Sequence, residues 1–184
     1  MATCDCPPPS HAALLTADPG GVSHRAGSED RYRLPQLALH TPIGDLTVSE
    51  EDGAIVSLDW GWGNAAHADT PVLQRARAQL HAYFDGELTE FDLPLAPTGT
   101  PYRRRVWQAL CDIPYGETRS YAAIAAAAGG SARSVGQANG CNPIPIIIPC
   151  HRVVAATHLG GYSGGEGLPT KRYLLTLEAR DTLL

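Results

Sequence analysis

The sequence predicts an α+β fold, in which a small N-terminal domain with an antiparallel sheet and one helix precedes a mostly helical C-terminal domain. Short β-prone runs separated by glycine-containing turns fill residues 37–60, a pattern typical of an antiparallel meander. Residues 101–178 instead show helical spacing interrupted by proline and glycine. We therefore expect a disordered or loosely attached tail at residues 1–34, an N-terminal domain at 35–97 and a C-terminal domain at 98–184.

The N-terminal domain is expected to hold three or four strands and one helix. The strands fall at 37–40, 46–48 and 54–60, with a further strand at 93–96. A helix is expected over residues 71–83, because apolar residues recur there at three- and four-residue spacing and a proline opens the segment. No cluster of residues in this half predicts chemistry.

The C-terminal domain is expected to begin with a helix capped by Thr100 and opened by Pro101, which runs towards Ile113. The domain ends with a glycine-rich loop at 160–165 and a helix at about 169–178. The segments on which the functional prediction depends lie between these elements.

Between them lies a pattern typical of a helix-turn-helix. An alanine-rich helix at 120–128 is followed by Gly129-Gly130 and by a second helix at 131–139, capped by Ser131. The second helix of such a unit usually meets DNA. The same pattern also fits a helical hairpin that is packed only for structural reasons.

Composition and cysteine usage exclude several protein classes. No apolar run approaches the ~20 residues that cross a membrane, and no basic segment followed by an apolar stretch marks a secretory signal. The five cysteines are odd in number and unevenly spaced, which argues against a disulfide framework. Cys4, Cys6 and His11 lack the spacing of a structural zinc site, so we expect no metal.

Charge is distributed unevenly along the chain, whose net charge is −5. Residues 1–98 hold 14 acidic and 5 basic side chains, whereas residues 99–154 hold 6 basic and 2 acidic ones, a local charge of +4. Binding to phosphates depends on a local basic face rather than on the total charge. The central block is therefore compatible with a nucleic-acid partner, although the acidic half also fits an ordinary solvated surface.

The run at 148–153, Ile-Pro-Cys-His-Arg-Val, places a thiol beside an imidazole at the end of an apolar segment. Burial makes a thiol inert, whereas a basic neighbour favours the thiolate. Cys150 is thus either an activated nucleophile or a core cysteine before a surface His-Arg pair. A nucleophile needs a base with an orienting partner, for which His151 and Glu178 are the candidates. Glu178 lies among leucines, but it also fits the polar face of an amphipathic helix.

The combination of these features resembles the O6-alkylguanine-DNA alkyltransferases, or methylated-DNA–protein-cysteine methyltransferases. The resemblance rests on the helix-turn-helix, Asn142-Pro143, the run at 148–153 and Gly-Tyr-Ser-Gly-Gly at 161–165. It covers residues 113–178 almost throughout, and residues 37–93 are similar to the family's more variable N-terminal domain.

The resemblance implies a catalytic set. Cys150 accepts the alkyl group by attacking the carbon on guanine O6 in a single displacement. His151 deprotonates it through a water, Glu178 orients His151, and Asn142 bonds to the backbone near the thiol. The resulting thioether is not reversed, so the protein acts once per molecule and needs no cofactor.

The resemblance also implies how the substrate is bound. Arg133 takes the place of the flipped nucleotide in the base stack, and Tyr121 crowds the adjacent phosphate, with Ala122 at the same DNA surface. The second helix enters the minor groove, where its small residues fit: Ala132, Ser134, Gly136 and Ala138. Further residues hold the extruded base, Tyr162 and Ser163 through hydrogen bonds and Pro145 and Val153 as apolar walls.

The function implied is repair of duplex DNA that carries O6-alkylguanine, and O4-alkylthymine stays open as a second substrate. The protein is expected to be monomeric and to lie in the cytoplasm of a bacterium, where it associates with the nucleoid when it acts. Three alternatives are an alkyltransferase-like damage sensor, a helix-turn-helix regulator and a cysteine hydrolase. The sensors lack the acceptor cysteine, so Cys150 argues against the first.

Overall fold

An antiparallel sheet of three strands forms the first part of the fold. The structure is a computed structural model that describes residues 34–63 and 68–180. The strands are β1 (Gln36–Thr41), β2 (Gly44–Glu51) and β3 (Ala54–Trp60), which pair in the order β1-β2-β3. The predicted meander is therefore confirmed. The predicted tail at 1–34, with Cys4, Cys6 and His11, lies outside the described residues apart from Leu34.

Alternation along the strands places one face of the sheet in the core. Leu37, Leu46 and Ile55 are almost completely buried, one from each strand. The turn between β2 and β3 uses Asp52 and Gly53, both at positive φ, as a two-residue hairpin with right-handed twist requires. The side chains of a single helix cover this face.

Helix α1 (Pro71–Phe84) packs against all three strands, as its apolar spacing predicts. Thr70 caps it by accepting a hydrogen bond from the Leu73 amide at 3.3 Å. The predicted strand at 93–96 is wrong: Leu95 forms only an isolated bridge with Ile55. Prolines at 94 and 97 flank the bridge and cannot donate to a ladder, which stops a strand from growing.

The second part of the fold is mostly helical, as predicted. Helix α2 (Pro101–Cys111) is capped by Thr100 and ends two residues before Ile113. The short strand β4 (Arg119–Ser120) pairs in parallel with β5 (Val153–Val154). The remaining helices are α3 (Tyr121–Ala128), α4 (Ala132–Gly140) and α5 (Leu168–Arg180).

Helices α3 and α4 form the predicted helix-turn-helix. Gly129 and Gly130 both adopt positive φ between them, a conformation that costs glycine little. Trp107 of α2 is buried below α4 and donates from its indole to the Ala138 carbonyl at 2.9 Å. Ala138 is itself only 2% exposed, so the expectation that it fits a DNA groove is wrong: it packs in the core. Ala132 is exposed on the same helix.

Across residues 34–63 and 68–180, no helix is both long and apolar enough to span a membrane. In the same ranges, no three His, Cys, Asp or Glu side chains cluster as metal ligands would. The division into domains at 35–97 and 98–184 stays a prediction, because the buried side chains of both halves form one continuous core.

Candidate active site

Cys150 lies at the wall of a cavity of about 570 Å³. The cavity is bounded by β3, by the helix-turn-helix, by the segment that precedes Cys150 and by the loop at 160–165. Its lining therefore brings together residues from both halves of the chain: Leu58, Asp59, Trp60, Tyr121, Gly136, Asn139, Gly140, Asn142, Pro143, Pro145, Cys150, Gly161, Tyr162, Ser163 and Gly164.

Backbone turns in the segment 142–150 hold the thiol in place. The side chain of Asn142 hydrogen-bonds to the backbone of this segment at two points. Its amide nitrogen donates to the Ile148 carbonyl at 2.8 Å, and its amide oxygen accepts from the Ile144 N–H at 3.1 Å. The fully buried Ile146 has φ of +73°, a conformation that costs a β-branched residue about 1–2 kcal/mol. Burial of its side chain and of its neighbours maintains this strained backbone, which delivers Cys150 to the cavity.

Residues Cys150–Arg152 form a single 3-10 turn, so the Cys150 thiol and the His151 imidazole point in different directions. Cys150 lines the cavity, while His151 is completely buried and bonds to Glu178 of α5. Neighbouring side chains of an extended chain would point to opposite faces. The turn instead lets two successive residues serve one site.

Glu178 is a buried carboxylate with donors on both oxygens. Its Oε1 accepts from His151 Nε2 and from the Tyr83 hydroxyl, each at 2.7 Å. Its Oε2 accepts from Arg152 Nε at 2.9 Å and from the Gly116 amide at 3.3 Å. Pairing and hydrogen bonding on this scale are what a buried charge requires.

These contacts set the protonation of the pair. Burial opposes ionisation of Glu178, but the hydrogen bonds and charges of His151 and Arg152 outweigh it and lower the pKa of the carboxyl to about 2. For His151, burial lowers the pKa of the imidazole and Glu178 opposes this only in part. The ring is therefore neutral at pH 7. Since the carboxylate cannot donate, Nε2 carries the hydrogen and Nδ1 offers a lone pair.

Burial also raises the pKa of the Cys150 thiol, whereas a hydrogen bond from Asn142 and the charge of Lys171 act in the opposite direction. The net effect leaves the resting thiol protonated at neutral pH. A base is thus needed to produce the thiolate. Nδ1 of His151 is buried and has no hydrogen-bond partner within the described part of the chain, so it is the available acceptor.

Lys171, the single lysine of the chain, is completely buried on α5. Its ammonium donates to the carbonyls of Val153 at 2.7 Å, of Leu159 at 2.5 Å and of Gly161 at 3.2 Å. Burial lowers the pKa of this amine to about 8, and the nearby Cys150 opposes the shift. Lys171 therefore joins β5 to the loop at 160–165 and supplies positive charge near the thiol.

The loop at 160–165 forms the opposite side of the cavity. The hydroxyl of Tyr162 faces the Cys150 thiol without forming a regular hydrogen bond to it. Burial raises the pKa of Tyr162, so this hydroxyl stays protonated. Gly164 has no room for a side chain: a Cβ there would lie 2.7 Å from Trp60 Cζ2 and 2.9 Å from Tyr162 Cε1. The indole of Trp60 thus packs directly on the loop backbone.

The structure brings most of the predicted site residues together. The predicted residues that line the cavity are Tyr121, Asn142, Pro145, Cys150, Tyr162 and Ser163, and His151 with Glu178 lies next to the thiol turn. Val153 does not line the cavity: it is completely buried in β5. Arg133 and Ala122 are exposed on α4 and α3 and do not line the cavity.

Four residues of the site were not expected from the sequence. Tyr83, Trp60 and Lys171 occupy ordinary amphipathic or strand positions, and no local signal distinguishes them. Arg152 belongs to the basic block at 99–154, yet its guanidinium is buried against Glu178 and donates to the Ile113 carbonyl at 2.6 Å. Its place directly after His151 was the one available signal.

Both halves of the chain match one protein family. Residues 37–97 match the ribonuclease-like domain of 6-O-methylguanine DNA methyltransferase, and residues 101–180 match its DNA binding domain. The chain is 47% identical over 151 residues to the constitutive methylated-DNA–protein-cysteine methyltransferase of Bacillus subtilis, a match that covers 75% of this chain and 91% of the relative. It is 48% identical over 149 residues to a protein of the same name from Mycobacterium tuberculosis, covering 76% and 89%.

Solved structures give the same result. The crystal structure of Mycobacterium tuberculosis OGT in complex with DNA aligns with a TM-score of 0.72 and 46% identity over 80% of this chain and 94% of that one. An O6-methylguanine DNA methyltransferase from Methanococcus jannaschii aligns with a TM-score of 0.59 and 27% identity over 78% and 93%. As its motifs predicted, the chain belongs to the 6-O-methylguanine DNA methyltransferase family.

Proposed function

We propose that this protein repairs DNA by transferring an alkyl group from O6-alkylguanine to Cys150, irreversibly and once per molecule. One observation carries the proposal: a buried thiol faces a cavity while a histidine, oriented by a buried carboxylate, lies directly after it in a tight turn. The names of the relatives agree with the same activity.

The proposed reaction is a single displacement. His151 Nδ1 takes the thiol proton through a water, and the ion pair with Glu178 stabilises the imidazolium that forms. The sulfur then attacks the alkyl carbon: an S–C bond forms, the C–O6 bond breaks, and the electron pair leaves on the guanine. Tyr162, held protonated, donates the proton that the leaving base needs. The proton that His151 took from the thiol then restores the Tyr162 hydroxyl, so that both side chains end neutral. The reaction consumes no cofactor.

Delivery of the substrate follows from the position of the cavity. A guanine in duplex DNA cannot reach a buried thiol, so the base must leave the stack and enter the cavity. Exposed Arg133, near the start of α4, is the candidate to fill the resulting gap, with Tyr121 and Ala122 at the DNA surface. Pro145, Tyr162 and Ser163 would contact the extruded base, with Val153 supporting that wall from the core.

We place the domain boundary at residues 97–98 and propose that a monomer acts through the minor groove, in the bacterial cytoplasm. Two features support contact through α4: the α3–α4 turn leaves Ala132 and Arg133 exposed, and a solved relative is bound to DNA. Phosphate contact would use the exposed arginines of the central block without Arg152, which is buried.

Intact-mass measurement after incubation with a duplex containing O6-methylguanine tests the function. The protein is expected to gain the mass of one CH₂ group, in an amount equal to the protein added. Cys150→Ala should abolish the gain and keep lesion binding, whereas Cys111→Ser, at an exposed thiol, should not change it. Tight lesion binding by the native protein without mass gain would favour a damage sensor, and sustained turnover would favour a hydrolase.

A further inference from the structure

Tyr83 connects the N-terminal half to the histidine–carboxylate pair. It lies on α1, 95 residues before Glu178, and its hydroxyl donates to Glu178 Oε1 at 2.7 Å. The same oxygen accepts from His151 Nε2 at 2.7 Å. All three side chains are completely buried. The tyrosine and the imidazole therefore share one acceptor atom that is shielded from bulk solvent.

We propose that Tyr83 is a positioning residue for alkyl transfer: it fixes the Glu178 carboxylate and thereby sets how strongly His151 holds a proton. The inference rests on the proposed function, in which His151 is the base. It assigns a chemical role to α1, a helix that contributes no residue to the cavity lining.

Packing and burial keep the Tyr83 hydroxyl in place as a hydrogen-bond donor to Glu178. The phenol ring packs on the ring of Phe84 with centroids 5.4 Å apart and on Phe91 at 5.3 Å, and the Tyr115 ring meets it edge-on at 6.1 Å. Burial and the Glu178 charge both raise the pKa of Tyr83 well above its ordinary value. Its hydroxyl thus remains a donor at every pH at which the protein is folded.

The charged neighbours determine the sign of the effect. Glu178 faces His151, Arg152 and Tyr83, while the imidazole also experiences the positive charges of Arg152 and Lys171. A donor on Oε1 withdraws part of the negative charge that would otherwise stabilise the imidazolium. Tyr83 should therefore keep the pKa of His151 lower than the carboxylate alone would make it.

Loss of the hydroxyl has two expected consequences. The carboxylate loses one of its positioning contacts, and the pKa of His151 rises, so that the ring is protonated over a wider acidic range. A protonated ring cannot accept the thiol proton. The acid limb of the rate–pH profile should accordingly move to higher pH, and the rate at neutral pH should fall more than the rate at pH 9.

The test compares Tyr83→Phe with Tyr173→Phe, which removes a hydroxyl from a half-exposed residue of α5. Single-turnover methyl transfer is measured from about pH 5 to 9, and nitrogen NMR follows the His151 ring in the same proteins without DNA. Phenylalanine preserves the packed ring, and thermal unfolding identifies any loss of folded protein.

We expect Tyr83→Phe to slow transfer about 3- to 10-fold at neutral pH, with the acid limb and the His151 titration displaced upward by about half to one pH unit. Tyr173→Phe should match the native protein. A rate loss that is equal at every pH, or an unchanged profile, would overturn the proposal. The NMR titration tests the effect of Tyr83 on His151 even if the native protein transfers no methyl group. An absence of transfer by the native protein would contradict the proposed function and leave this test intact.

Discussion

Arg152 donates from Nε to Glu178 Oε2 at 2.9 Å, and from a second nitrogen to Oε1 at 3.1 Å, with both side chains almost completely buried. A two-point contact of this kind fixes the plane of the carboxylate. It also explains why a fully buried glutamate stays ionised behind the thiol. The guanidinium, which the sequence places in a basic block, is instead part of the support for the His151–Glu178 pair.

Arg152→Ala is expected to lower the free energy of unfolding by about 3–5 kcal/mol, because it leaves a buried carboxylate without its strongest partner. Urea unfolding measures the change. Arg119→Ala is the matched control: its ion pair with Glu117 at 2.8 Å is half exposed and should contribute less than about 1 kcal/mol. Equal effects of the two substitutions would contradict the assignment of Arg152 to the core.

Stability should decline as the solution is acidified, in two steps of the same sign. His151 has a folded pKa below its ordinary 6.5, so protons favour the unfolded chain below about pH 6.5. Glu178 has a folded pKa of about 2 against an ordinary 4.5, so its contribution is complete above 4.5 and is lost as the pH falls towards 2.

The difference in the Glu178 pKa corresponds to about 3 kcal/mol. Urea midpoints measured between about pH 7 and 3 should therefore fall steadily. Glu178→Gln should start from a lower stability and lose most of the slope below pH 4.5. A native midpoint that does not change between pH 6 and 3 would show that the pair is not ionised as described.

Gly164→Ala is expected to slow alkyl transfer, because the added Cβ overlaps the Trp60 indole and the Tyr162 ring. Trp60→Ala removes one of the two obstructions. The double variant Trp60→Ala with Gly164→Ala should therefore lose less activity than the two single effects added together, a coupling that a double-mutant cycle measures. Gly161→Ala, with open space around its Cβ, is the matched control. If the losses of activity in the two single variants simply add in the double variant, the expected contact between Trp60 and the loop is contradicted.

The turn of the helix-turn-helix offers a second matched pair of glycines. Both Gly129 and Gly130 have positive φ, but a Cβ on Gly129 meets open space, while one on Gly130 would lie 2.6 Å from the Tyr102 hydroxyl and 2.8 Å from Ser134 Oγ. Gly129→Ala should cost about 1–3 kcal/mol in backbone strain, because Gly129 has φ 81° and ψ 162°, a region that is nearly restricted to glycine. Gly130→Ala should cost more and weaken DNA binding, because the obstruction displaces the start of α4. Thermal unfolding and DNA titration check both, and equal losses would contradict this.

Most helices and strands, and the cysteine at the centre of the candidate site, could be predicted from local patterns. Local signals suffice for β1 to β3, for the capped helices α1 and α2, and for the Gly129-Gly130 turn, because propensity and capping act within a few residues. The run around Cys150 and the motif at 161–165 identified the family, since both are contiguous in the chain. The strand expected at 93–96 failed because two prolines outweigh its apolar pattern.

Several contacts between residues far apart in the chain became visible only in the folded protein. Tyr83 and Trp60 belong to a half of the sequence without chemical signals, yet one touches Glu178 and the other lines the cavity. Arg152 and Ala138, read as surface residues, proved to be buried. Burial and long-range hydrogen bonds depend on how α1, β3 and α5 pack around the thiol turn, and no local pattern of the sequence records that arrangement.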